Sequence, residues 1–349
     1  MARILSYGAE LRSSLEFAWG NAVSSTSYTT PGRGGYTGTY FATVSGGVTA
    51  GWNIPGTTEF FFRCAIRLSA QSNTTPVARI QFFDATGGGG NSVLLLASPD
   101  SGANLGQLKI TAGASTVLGT ITGSVLSTSA WTLVEVYFKL DASVGVCTVK
   151  YNGTQVFTFS GNTNPNSRTN VQSLGFISAG GTAESFDDVA INDTTTGTNN
   201  SWAGDGYVFA LTPNGNGDVS QWTNNSGNST NNYSHVNTLP PQITTYVQDG
   251  TVGDQDFYTL TDFPTIITPF TVTLVWIQIY AERVSPGTAQ NMDFGLETSS
   301  TKYLTGSPVA LTASPVLYSS TPWLLNPNSG VAWTTADINA LAAGVKVTT

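Results

Sequence analysis

Residues 131–193 constrain this chain more than any other stretch. In the run WTLVEVYFKL, Val134, Val136, Phe138 and Leu140 fall on one side of a period-2 pattern, and Trp131, Leu133, Glu135, Tyr137 and Lys139 on the other, more mixed side. Successive side chains of a strand point to opposite faces, so this run predicts a strand with one face in a core. Asn152-Gly153 stands between a second alternating run that ends at Tyr151 and a third that spans 156–159. A type I′ turn needs positive φ at both central residues, which Asn-Gly supplies, so the two runs form a hairpin. Two more short runs, LGFIS and FDDVAIND, follow a polar loop.

The rest of the chain reads the same way. Strands are expected at 59–68, 77–84, 93–97, 108–110 and 117–121, with Gly87 to Gly90 as a hairpin tip. No Lys-Ser/Thr pair or helix follows those glycines, which sets aside a phosphate cradle. Residues 13–19 fit a first strand, although Leu11, Leu15 and Trp19 also have helical spacing. The polar run 194–201 is expected to divide residues 1–200 from residues 201–349. In the second part, strands are expected at 207–211, 219–223, 246–248, 257–260, 270–284, 293–297 and 317–319. Residues 271–281 are apolar on both faces and predict a central strand covered on both sides. Thr334, with Asp337 three residues on, predicts a capped helix at 334–343 that Gly344 stops. The fold class expected is all-β: two β-sandwich, jelly-roll-like domains with one short C-terminal helix.

Composition narrows the function. Charged residues are only 10% of the 349, where about 25% is usual. Without clustered Lys and Arg, and at a net charge of −8, the chain is expected to bind no nucleic acid and to avoid anionic membrane surfaces. Residues 270–281 are too short an apolar run to span a bilayer, so no membrane insertion is expected. The first residues show no signal-peptide pattern, which fits a virion component better than a secreted protein. Cys64 and Cys147 each lie on the apolar face of a run. They are expected to be buried reduced thiols, with a disulfide between them left open.

The Trp-led strand, the V-x-Y-x-N-G hairpin and the late F-D-D-V-x-I strand resemble the laminin G-like branch of the concanavalin A-like sandwiches, over roughly the first 200 residues. Residues 202–349 carry GDGYV at 204–208, LTPNG at 211–215, QWT at 221–223, AWT at 332–334 and DINAL at 337–341. Their order resembles a β-rich module of structural proteins from tailed bacteriophages. These resemblances imply a virion protein, assembled in the bacterial cytoplasm as a homo-oligomer with other virion proteins. It would be displayed from the tail or as a capsid decoration, and serve host adsorption or, alternatively, architecture alone.

Catalysis is not expected. His235 is the single histidine, in an Asn-rich loop. The nearest match to a paired-carboxylate strand, Glu184 to Asp187, puts its carboxylates on opposite faces, where they cannot flank one glycosidic bond. Calcium is the one cofactor considered, since the sandwich resemblance implies a rim site. Its candidate ligands are Asp84, Asp100, Asp187 and Asp188, and Asp249, Asp254 and Asp256 form a further group. The functional class expected is binding. Tyr28, Tyr36, Tyr40 and Trp52 sit in Gly-rich segments, where aromatic faces can stack on a sugar and neighbouring amides bond its hydroxyls. A host-surface glycan is the expected partner.

Overall fold

The computed structural model describes the chain except residues 1–2, 14–15, 18–26, 34–40, 46–48, 69–77, 89, 99–106, 114, 123–125, 178–182, 196, 265–269 and 285–289. It is built almost wholly of antiparallel strands with one short α-helix, in two compact units, Met1–Phe209 and Ala210–Thr349. Residues 201–209, expected in the second domain, therefore belong to the first unit.

The first unit contains β1 (Arg3–Tyr7), β2 (Ser27–Thr29), β3 (Phe41–Ser45), β4 (Thr49–Thr57), β5 (Glu59–Leu68), β6 (Ala78–Phe83) and β7 (Ser92–Ser98). It continues with β8 (Lys109–Ala112), β9 (Thr116–Thr120), β10 (Thr132–Lys139), β11 (Gly145–Tyr151), β12 (Thr154–Gly161), β13 (Val171–Ile177) and β14 (Ala183–Asp193). One sheet has the order β12-β11-β10-β5-β14-β3-β2, with β1 also paired to β14; the other runs β4-β13-β6-β7-β8-β9. The first strand lies at β1, before the expected 13–19 segment, much of which is outside the described residues.

The alternation seen in the sequence is the alternation of burial. Val134, Val136 and Phe138 of β10 are fully buried, as are Phe60, Phe62 and Cys64 of β5. These residues meet the inner face of the second sheet. Phe176 of β13 stacks on Phe186 of β14 at 4.3 Å, and Phe62 meets Phe82 of β6 edge-on at 5.3 Å. Offset and edge-to-face pairs of this kind add about 0.5–1.5 kcal/mol each to the burial term. Asn152 (φ 48°) and Gly153 (φ 80°) make the expected turn between β11 and β12. Cys64 and Cys147 are buried and unpaired; burial pushes the Cys147 thiol up to about 12, and that of Cys64 upward too.

In the second unit the strands are β15 (Pro213–Ser220), β16 (Thr223–Asn224), β17 (Val247–Gln248), β18 (Gln255–Leu260), β19 (Gln278–Ala281), β20 (Asn291–Thr298), β21 (Thr301–Leu304), β22 (Val309–Ala310), β23 (Val316–Ser319) and β24 (Ala342–Val347). The main sheet runs β15-β18-β24-β20-β21, with β22 also on β20. Its centre is β24, read from the sequence as the tail of a helix and its stop. Helix α1 is shorter than expected, Thr335–Asn339, and it starts on the expected Thr334–Asp337 capping box. Gly344 is internal to β24, where a side chain would press within 2.2 Å of the Asp256 backbone oxygen. The expected strand at 270–284 is broken. Val272 and Val275 make single bridges to Trp333 and Trp323, and only β19 is a true strand, paired with β23. None of residues 271–281 is fully buried, so two apolar faces here mean two half-covered faces. Between Asn216 and Ser220, β15 leaves its ladder. Asp218 on that excursion meets Lys302 of β21, the strand at the other end of the order, at 2.6 Å.

Candidate functional site

The outward face of β10 explains the site. Leu133 and Glu135 point away from the sandwich core, yet they are only 5% and 3% exposed. Glu135 is met there by residues 201–208, a segment outside any strand that lies on the eight-stranded sheet. A strandless segment still has backbone groups to satisfy. Side chains of the sandwich do it. Asn192 donates to the Ser201 carbonyl at 2.7 Å, and Glu135 Oε1 accepts from the Gly204 N–H at 3.0 Å. Arg63 donates to the Gly204 carbonyl at 3.1 Å, Arg33 to the Gly206 carbonyl at 2.6 Å, and Asp188 Oδ1 accepts from the Val208 N–H at 2.8 Å.

The hub of this arrangement is a bulge in β14. Three steps from Asp187 to Ala190 face two from Ala65 to Arg63, and Asp188 takes the left-handed conformation at φ 52°. Asp188, 1% exposed, pairs with Arg33 at 2.7 Å, and its backbone oxygen accepts from Arg63 at 3.0 Å. Arg33 also pairs with the exposed Asp205 at 2.7 Å and lies 4.1 Å over the Tyr207 ring. Burial lowers the proton affinity of Arg63 and raises that of Asp188, while the two arginines hold Asp188 toward its charged form. At Arg33 burial works the same way, but Asp188 and Asp205 outweigh it and its pKa rises.

Beside this segment lies a cleft of about 350 Å³, lined by Arg33, Trp131, Leu133, Glu135, Lys150, Asn152, Gly153, Trp202, Gly204 and Asp205. Lys150 stands 3.7 Å over the Trp202 ring, and Arg67 stands 4.8 Å over Trp131. Phe61 meets Trp202 edge-on at 5.4 Å, and Tyr137 adjoins it at 6.4 Å. Asn152 Oδ1 accepts from the Leu133 N–H at 2.9 Å, tying the β11–β12 turn to the cleft floor. The arrangement offers two indoles, charges of both signs and an amide at one place. Burial, and then the hydrogen bond to Glu59, push the Tyr137 phenol up to about 12.

Of the expected ligand-binding residues, Trp52 and Tyr28 are described, and neither lines this cleft. Trp52 is in β4 and 5% exposed, enclosed by Tyr7, Phe17, Phe176 and Phe186; it is a core residue and gives no face to a sugar. Tyr28 is half-buried in β2 and packs on the same core. Tyr36 and Tyr40 are outside the described residues, as is Asp100. The other metal candidates are already engaged. Asp84 accepts from the Asn91 N–H and pairs with Arg168 at 3.2 Å. Asp187 accepts from the Arg33 and Asp188 N–H groups, and Asp188 is held by Arg33. Among the described residues no three His, Cys, Asp or Glu side chains gather as a metal site. In the second group Asp249 caps Thr251, Asp254 meets Gln221, and Asp256 is buried with Asn232 and Tyr258, with the Asp249 charge near enough to act on it. His235 bonds Asn225 in its loop.

Sequence reasoning missed Trp131, Glu135, Lys150, Asn152, Trp202 and Asp205 as one site. The visible signals were the mixed outer face of β10 and a tryptophan just past the last sandwich strand.

No family model and no curated protein matches the chain by sequence. By fold it is similar to β-sandwich modules that act on or bind carbohydrate. One is an endo-β-1,4-glucuronan lyase from the fungus Trichoderma reesei, at 14% identity and a TM-score of 0.39, covering 55% of this chain and 96% of that one. Another is domain 4 of AbnA, an extracellular arabinanase from Geobacillus stearothermophilus solved with arabinotriose, at 14% identity and 0.39, covering 55% and 92%. A third is the alginate lyase Aly36B with alginate trisaccharide, at 13% identity and 0.36, covering 54% and 92%. Two polysaccharide lyases among these likenesses correct the expectation that the chain is not an enzyme. That expectation tested only carboxylate pairs and a histidine relay, whereas Lys and Tyr also serve as general acids and bases. Likenesses this distant assign no reaction.

Proposed function

We propose that the first unit recognises a carbohydrate in the cleft between β10, β11 and residues 202–205. The observation that carries this reading is the meeting of Trp131 and Trp202 with Glu135, Asp205, Lys150 and Asn152 in one concavity. Indole faces suit the apolar side of a sugar ring, and carboxylates, an ammonium and an amide suit its hydroxyls. In the same reading the protein is a component of a bacteriophage particle, which presents the cleft in many copies toward the host surface. The motif order of residues 202–349 supports that placement. Repetition supplies what a single weak site lacks, because linked sites gain avidity without new contacts.

The test is a glycan array probed with the full-length protein, presented as a multimer, beside Trp131→Ala and Lys150→Ala. The wild type is expected to bind a defined set of glycans, and each variant to lose about tenfold or more in affinity at an unchanged melting temperature. Equal binding by wild type and variants would move the site elsewhere. Binding of no glycan, with incorporation into purified particles shown by mass spectrometry, would leave an architectural role.

A further inference from the structure

Asp188 does not itself line the cleft, yet it fixes three of the groups on which one cleft wall depends, the lining residue Arg33 among them. Its carboxylate holds the Arg33 guanidinium and the Val208 N–H, and its backbone oxygen holds Arg63. Those two arginines in turn hold the carbonyls of Gly204 and Gly206, and Arg33 holds the Asp205 carboxylate. Trp202 and Asp205 are carried on this segment and enter the cleft only while it lies on the sheet.

We infer that Asp188 is a positioning residue: from the β14 bulge it clamps residues 204–208 through Arg33 and Arg63, and so sets Trp202 and Asp205 as one wall of the cleft. The inference builds on the carbohydrate reading, but the wall itself is observable without any ligand. Asp188 takes the left-handed conformation, which Asn also tolerates. Asp188→Asn therefore keeps the bulge and removes the charge that both arginines face. Gly206→Ala is a second route, because its added carbon would press within 2.5 Å of Arg63 Nη1 and alters no charge.

The experiment uses the full-length chain and three readouts: hydrogen exchange over 201–208, the rate of Lys150 acetylation by an activated acetate ester, and binding to the array. In Asp188→Asn, exchange at Gly204 and Val208 is expected to accelerate at least tenfold while core amides of β5 and β10 keep their protection. Lys150, losing its Trp202 neighbour, is expected to be acetylated several-fold faster, and affinity for any bound glycan to fall at least tenfold. Wild-type exchange at 201–208 together with wild-type Lys150 reactivity would overturn the inference, as would faster exchange with unchanged Lys150 reactivity and affinity. If Asp188→Asn does not fold, Gly206→Ala is held to the same outcomes. If the wild type binds no glycan, the carbohydrate reading fails alone, and exchange and acetylation still decide the role of Asp188.

Discussion

At the scale of single residues, the sandwich core contains a carboxyl group cut off from water. Glu184 of β14 is fully buried on the Phe186 side of the strand, with the Arg79 N–H near it but no well-formed hydrogen bond to either carboxyl oxygen. Burial pushes its pKa well above the ordinary carboxylate range, with Arg79 pulling weakly the other way. An unfolded glutamate ionises near pH 4.3, so between that pH and the raised folded value the folded state binds the extra proton. Stability therefore falls as pH rises through that window, and at pH 7 the protein carries the cost. Glu184→Gln is expected to raise stability at pH 7 and to make little difference below about pH 4. Denaturant melts of both proteins at the two pH values check this. Residue scale is also where sequence reading misplaced Trp52. Trp52 lies in a Gly-rich stretch that reads as a loop, but its ring fills the core from a strand.

At the scale of elements, legibility followed covering. β5, β10, β11 and β12 were readable because the alternating burial of their inner faces is written into period 2, and the Asn152-Gly153 turn because its backbone demands that pair. Residues 201–208 were unreadable because Glu135, Arg63, Arg33 and Asp188, which bond them, are distant in sequence. β24 was hidden for a different reason: AAGVKV is rich in good helix formers, and only its neighbours make it a strand. Its glycine is the telling position. Gly344→Ala is expected to destabilise the second unit by about 3 kcal/mol or more, since rigid backbone stands in the way of the added carbon. Thr334→Ala, by contrast, removes one side of an exposed capping box and is expected to cost about 1 kcal/mol.

At the scale of the whole molecule, the described buried residues form one large core cluster in the first unit and two small ones in the second. Scanning calorimetry is expected to resolve two transitions, of about 150 kcal/mol for the 209 residues of the first unit and about 100 kcal/mol for the 140 of the second. Gly344→Ala should shift only the smaller one; a single transition shifted as a whole would contradict two independently cooperative units. Residues 201–208 bear on how such a chain can be divided. A gene cut after codon 200 keeps every ladder of the first unit but strips a partner from each of Glu135, Arg63, Arg33, Asp188 and Asn192. Four charged groups tuned to a dry, answered surface would then meet water or another chain. Shortened and fused versions ending at 200 would for that reason be prone to self-association, whereas those ending at 209 would behave as the intact unit does. The last rung of hydrogen bonds is not the end of this fold, and splice points belong beyond Phe209.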